Sequence, residues 1–277
     1  LTTAKPSLPQ TVPPASEPQD QAFRHLLPTM KSPPKPIAVM TTTNELYLPT
    51  RLVYEVYDVK QLRAWLQKTS CMGWDQGRQR WTWEYDGAAR KLEFPPAYDQ
   101  VPAERQPVVL ASCYLVDDQT FHVYTRCGFR TVKFLVFFDQ QVSRSIAVGK
   151  FMDQHNLITT VNPGAPVPYP EDYFKDESKI EFFDIIALMD SPNSPAKDQA
   201  LAAYTAAAAQ RTLRPLERHR LDGFYHDGPI LMDQMVRFRE TMALLQHQSA
   251  TPIRPMEVIS KLLDGQGNPV PGGPSGR

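Results

Sequence analysis

"VVLASCYLVDDQTFHVYTRCGFRTVKFLVFFDQQVSRSIAVGKF", Val108 to Phe151, carries the pattern from which the fold is read. Residues 108–116 and 120–126 are rich in β-branched and aromatic side chains and flank Asp117-Asp118-Gln119. They read as two strands joined by a tight turn. Residues 128–142 are apolar around most of a helical circumference, which predicts a largely buried helix. Residues 143–151 return to strand texture.

The same logic extends upstream. "RLVYEVY", 51–57, reads as a strand, and "DVKQLRAWLQKT", 58–69, as a helix. Asp58 stands at the N-cap position with Gln61 three residues on, the spacing of a capping box, and Leu62, Trp65 and Leu66 form the apolar stripe. The order strand, helix, strand, strand, helix, strand is the split βαβ pattern of a ferredoxin-like sandwich, so the expected fold class is α+β.

Between these halves lies "MGWDQGRQRWTWEY", 72–85, which holds three of the four tryptophans and reads as a hairpin. With Gln76-Gly77 as a two-residue turn, Trp74 faces Gln79 and Met72 faces Trp81. Alternation then places Met72, Trp74, Gln79, Trp81, Trp83 and Tyr85 on one side and Asp75, Arg78, Arg80, Thr82 and Glu84 on the other. Four large aromatics represent roughly 600–1,000 Å² of burial. The largest exposed apolar patch on a typical monomer is roughly 300–600 Å². Something must cover this face: the chain's own helices, a second copy or protein partner, or a ligand. Trp74, Trp81, Trp83 and Tyr85 are therefore the candidate interface residues.

Composition divides the chain. Nine of the 27 prolines fall in residues 1–36, which carry few large apolar side chains and read as a disordered arm. Residues 37–162 read as the α+β domain. Four prolines between 163 and 170 mark a linker. Residues 163–265 then read as helical throughout, over 176–190, 194–212, 213–225, 229–249 and 255–263. In the first of these, Glu177 and Glu181 are expected on one solvated face. Arg211, Arg214, Arg218 and Arg220 fall on roughly one face of a short helix. Residues 266–277 read as a disordered tail.

Charge and motif content exclude several function classes. Lys+Arg and Asp+Glu number 30 each, so the chain lacks the basic excess of a non-specific phosphate binder. Residues 51–150 still carry 14 Lys/Arg against 11 Asp/Glu, which keeps a local nucleic-acid surface open. Cys71, Cys113 and Cys127 are widely spaced and odd in number, which argues against a disulfide framework or a structural zinc site and for a reducing, cytoplasmic setting. No apolar run is long enough to span a bilayer, and the first residues lack a signal-peptide core. No metal, cofactor or catalytic residue is assigned, because no zinc, phosphate-loop, nucleotide-binding or nucleophile-elbow motif is present.

One stretch does suggest chemistry. In "TRCGFR", 125–130, Cys127 and Gly128 open the buried helix between Arg126 and Arg130. Basic residues at a helix N-terminus are electrostatically unfavourable unless an anion sits there. Arg126, Cys127, Gly128 and Arg130 are therefore the candidate anion-binding residues, with a reactive thiol as a further option. The expected function is a non-catalytic binding or regulatory module with a protein partner or self-association. The alternatives are nucleic-acid binding by the α+β domain and an enzyme or anion-binding protein built on residues 126–130.

Overall fold

The strand at residues 50–56 is buried on both faces over most of its length, because it lies in the interior of a seven-stranded antiparallel sheet. A computed structural model describes residues 36–182 and 184–263, and those from Ile37 on form one compact unit. The expectations for the N-terminal arm and the C-terminal tail lie outside the described residues, apart from Pro36. The strands in chain order are β1 (Ile37–Ala38), β2 (Thr50–Val56), β3 (Met72–Asp75), β4 (Arg80–Glu84), β5 (Val109–Leu115), β6 (Thr120–Thr125), β7 (Ala147–His155), β8 (Thr160–Val161) and β9 (Leu216–Arg220). The large sheet runs β3-β4-β5-β6-β2-β7-β9, while β1 and β8 pair separately. The protein is thus mixed α+β.

Two helices, α1 (Val59–Lys68) and α2 (Gly128–Gln141), cover one face of the sheet. Asp58 caps α1 as its spacing predicts, its carboxylate accepting from the Gln61 amide at 3.0 Å, and Leu62 and Leu66 point into the core. α2 supplies Phe134, Phe137 and Phe138, and Trp83 meets Phe134 edge to face and Phe137 at a tilt, at 5.1 and 5.6 Å between centroids. Tyr54 meets Phe138 at 4.8 Å and Trp65 meets it at 5.1 Å. Aromatic pairs of this kind add to the area term that drives burial.

The tryptophan hairpin forms with a different register. Trp74 faces Trp81 and Asp75 faces Arg80, so the loop spans four residues, 76–79, with Gln79 in the left-handed region at φ 53°. Direct opposition of Trp74 and Trp81, 5.0 Å between centroids, and a 3.0 Å Asp75–Arg80 ion pair favour this register over one that sets Trp74 against Gln79. The slip is an even number of residues, so the division of faces survives it.

Downstream, the wholly helical expectation fails at two places. Residues 213–225, expected as helix, contain β9, which joins the sheet beside β7, and only then the short helix α5 (Asp222–Asp227). The charges of "LERHR" conceal a strand because each finds a partner: Arg218 lies opposite Asp153, and Glu217 meets Asn156 and Arg239. The expected helix over 176–190 reduces to α3 (Ile185–Asp190). Ahead of it, Glu181 bridges to Glu217 as an extended segment, and neither Glu177 nor Glu181 projects from a solvated helix face. The remaining helices are α4 (Pro195–Gln210), α6 (Pro229–Gln248) and α7 (Pro255–Leu263). α6 packs on α2 so closely that a β-carbon at Gly128 would lie 2.5 Å from Val236 Cγ1, which fixes a glycine there. Among the described residues no helix is long and apolar enough to cross a membrane.

Candidate functional site

The face of the sheet turned away from α1 and α2 is polar, and its composition follows from alternation. In "RLVYEVY", Leu52 and Tyr54 point to the core, so Arg51 and Val53 point the other way. In "FHVYTR", Phe121 and Val123 point in, so His122, Tyr124 and Arg126 point out. Pairing aligns these residues into rows. Thr82, Ser112, Tyr124, Arg51, Asp153 and Arg218 stand opposite one another across six neighbouring strands. Tyr114, His122, Val53, Phe151 and Arg220 form the next row.

A strap running from Val167 to Asp184 lies across these rows. Glu171 accepts from Arg80 at 3.2 Å and from the Tyr114 hydroxyl at 2.9 Å. Glu177 pairs with Arg51 at 2.5 Å and Arg218 at 3.3 Å, and Asp184 with Arg220 at 2.8 Å. Phe174 packs against Tyr124, and Phe182 against Phe151 at 5.6 Å. The Arg78 guanidinium stacks on Tyr169, 3.4 Å from the ring centroid. Hence Glu177, expected on a solvated helix face, joins Glu171 and Asp184 as counter-charge to the arginines of the sheet. Asp172 and Asp176 keep local pairs with Lys175 and Lys179.

Arg126 is the exception on this face. Among the described residues its guanidinium makes no ion pair or hydrogen bond. Burial, reinforced by neighbouring Arg130, pushes its pKa down, so the environment disfavours its charge as it stands. It lines two adjoining small cavities. One, of about 100 Å³, is bounded by Tyr47, Pro168 and Tyr169, and the other, of about 60 Å³, by Arg80, Ser112 and Tyr124. Liquid water occupies about 30 Å³ per molecule, so a tetrahedral oxyanion fits the first.

The other members of "TRCGFR" do not join it. Arg130 is fully buried and engaged internally through both terminal nitrogens, donating to Thr43 Oγ1 at 2.6 Å and the Val109 carbonyl at 3.2 Å, with Glu45 Oε2 at 3.4 Å, while its Nε is left without a partner. The two arginines therefore do not converge on one ligand. Cys127 is buried at the N-cap of α2, and burial pushes its thiol up to about 12, the reverse of an activated nucleophile. Gly128 is occupied by its contact with α6. Of the candidate interface residues, Trp83 and Tyr85 lie inside the core, Trp81 is half-buried, and Trp74, 46% exposed, stands at the sheet edge. α2 and Phe94 supply most of the cover that the aromatic face requires.

The sequence does not single out Arg51, Asp153, Tyr114 or Tyr124, and it places Arg218 on a helical face rather than in a strand. Alternation in 51–57 and 120–126 gave the signal for two of them, but Asp153 and Arg218 take their meaning from a strand hidden by its charges. Compared with family models, curated proteins and solved structures, the chain matches none of them.

Proposed function

We propose that this chain is a non-catalytic binding module whose ligand surface is the arginine-bearing face of the sheet, with an anionic group held at Arg126. The observation that carries the reading is the uncompensated guanidinium: every other arginine on that face has a carboxylate partner, and Arg126 lines room for an oxyanion. The strand order β5-β6-β2-β7, with α1 and α2 on the opposite face, supports reading the kernel as ferredoxin-like, extended at its edges by the tryptophan hairpin and β9. The three cysteines are free and buried, which supports a cytoplasmic setting. The test is titration of the full chain with inorganic phosphate and sulfate while observing the backbone amide resonances of Tyr47 and Tyr169, which line the cavity beside Arg126. Saturable shifts that vanish in Arg126→Gln support the reading, and unchanged shifts overturn it.

A second reading, single-stranded nucleic acid, is favoured by Tyr114, His122, Tyr124 and Phe151 alternating with arginines, the mixture that stacks bases and tracks a backbone. It requires the 167–184 strap to leave the face, since Glu171 and Glu177 now occupy the arginines. Binding of an oligothymidylate that falls with salt and strengthens in Glu171→Gln supports it. No binding at low salt by either protein rejects it.

A further inference from the structure

On the helical side of the molecule a second, larger cavity of about 380 Å³ lies between residues 40–46 and α6, with Phe129 of α2 and Pro95 closing its walls. That size lies within the range of small-ligand sites. Met40, Leu46, Phe129 and Val236 make part of the lining apolar, and the polar residues are mostly acidic: Glu45, Asp233 and Glu240, with Arg237.

Glu45 is held in place rather than free. Its Oε2 accepts from Thr43 Oγ1 at 2.6 Å and from the Thr41 hydroxyl, with Arg130 Nη2 at 3.4 Å. The side chain is only 10% exposed, yet its Oε1 is buried without any hydrogen-bond partner. A buried carboxylate oxygen without a donor is costly, so a donor from a ligand would be favoured there. Asn44, beside it, takes the left-handed conformation at φ 63°, which turns the chain at the cavity wall.

The charges do not cancel. Glu45 is offset by Arg130, and Asp233 by Arg237 at 2.7 Å. Glu240 has neither ion pair nor hydrogen bond among the described residues. Burial pushes its carboxyl up to about 7, with Arg237 opposing and Glu45 and Asp233 adding repulsion. The cavity thus carries one unmatched acid. Among the described residues no three His, Cys, Asp or Glu groups come together as a metal ion requires, so the acids are spread for something larger.

We infer that this cavity binds an organic monocation, a primary ammonium or guanidinium group carried on a short apolar stem. The cationic head supplies the donor that Glu45 Oε1 lacks and the charge that Glu240 lacks, and the stem lies against Leu46, Phe129 and Val236. The inference stands apart from the Arg126 reading, which concerns a neighbouring cavity that shares only Met40 with this one and a ligand of opposite charge.

The experiment is calorimetric titration of the full chain at pH 8 and constant ionic strength with n-butylguanidinium, n-butylammonium and n-butanol, while following the Leu46 methyl resonances, which report on this cavity and not on the one at Arg126. Expected are saturable binding of both cations with a shift at Leu46, binding about tenfold or more weaker for butanol, and about tenfold weakening of cation binding in Glu240→Gln. Circular dichroism confirms that the variant is folded. Either butanol binding as tightly as the cations, no saturation by any probe at millimolar concentration, or unchanged cation affinity in a folded Glu240→Gln protein overturns the inference.

Discussion

Arg51 and Asp153 face each other across the central strands β2 and β7, Nε 2.8 Å from Oδ2, with almost none of either side chain exposed. Arg218 approaches the same carboxylate from β9, Nε 2.6 Å from Oδ1, so Asp153 holds the edge strand to the centre through its side chain as well as through the ladder. Replacing one member of a buried, hydrogen-bonded charge group leaves the others uncompensated. Asp153→Ala is therefore expected to cost about 3–5 kcal/mol, read as a lower urea midpoint. Glu177→Gln, whose side chain is more than half exposed, is expected to cost about 1 kcal/mol or less. Equal midpoints for wild type and Asp153→Ala would show the group to be energetically neutral.

The tryptophan hairpin offers a gradient along one face. Trp83 is fully buried against α2, and truncation to Ala is expected to cost about 3–5 kcal/mol. Trp74 contributes mainly its stack on Trp81, so Trp74→Ala is expected to cost about 1 kcal/mol. Similar losses at the two positions in denaturant melts would mean that the edge of the hairpin is covered in solution.

Much of this was legible in the sequence, and what was not has a physical reason. Alternation in 51–57, 108–116 and 120–126 and the apolar circumference of 128–142 place the central strands and α2, because each of these segments buries a continuous face. Parity made the faces of the hairpin readable even though its loop was misjudged: a slip of two residues leaves every side chain on its own side. "LERHR" failed for the opposite reason. Its charges are satisfied by Asp153, Asn156 and Arg239, which are remote in sequence, and no local pattern announces such partners. The Arg126 site shows the same limit. The guanidinium was visible, but its isolation from Arg130 depends on Thr43, Glu45 and the Val109 carbonyl.

Three histidines predict a response to acid. Burial is the main cause that lowers His122, His155 and His219 each to about 4. A free histidine titrates near 6.5, so between about pH 6.5 and 4 the unfolded chain binds more protons than the folded one. Their contribution to stability is full above that window and falls as pH drops through it, on the order of 1–3 kcal/mol per residue. Urea midpoints at pH 7 and 4.5 should differ in that direction, and His219→Gln should reduce the difference. An unchanged difference in the variant would mean that carboxylates alone govern acid unfolding.

Glu240 works with the opposite sign. Its carboxyl, raised to about 7 chiefly by burial, keeps a proton in the folded state over a range, about pH 4.5 to 7, where the unfolded chain has lost it. Stability from this group is present below that range and declines as pH rises through it. Glu240→Gln removes an acid that must ionise in a poor environment, so the variant should match wild type near pH 4.5 and exceed it at pH 8 by about 1–3 kcal/mol. Paired urea melts at the two pH values separate this slope from that of the histidines, since the substitution leaves His122, His155 and His219 in place. A variant that gains nothing at pH 8 would mean that a solvent path or Arg237 already neutralises the carboxylate there.

Cys127 supplies a kinetic test of the helix it opens. The thiol is wholly buried and pushed up to about 12, and Cys71, also buried, is pushed up to about 11. Alkylation by iodoacetamide needs the thiolate and access to it. In the folded protein at pH 8, labelling of Cys127 should therefore proceed only through opening of the contact between α2 and α6. Gly128→Ala tests that route, because its methyl group meets Val236 and overpacking of this kind costs about 1–3 kcal/mol. If opening at this contact controls access, the variant labels Cys127 faster by roughly five- to a hundredfold while Cys71, under the start of the tryptophan hairpin, changes less. Equal acceleration at both thiols would instead assign the exposure to global unfolding. Rapid labelling of Cys127 in the wild-type protein would contradict its buried position at the N-terminus of α2.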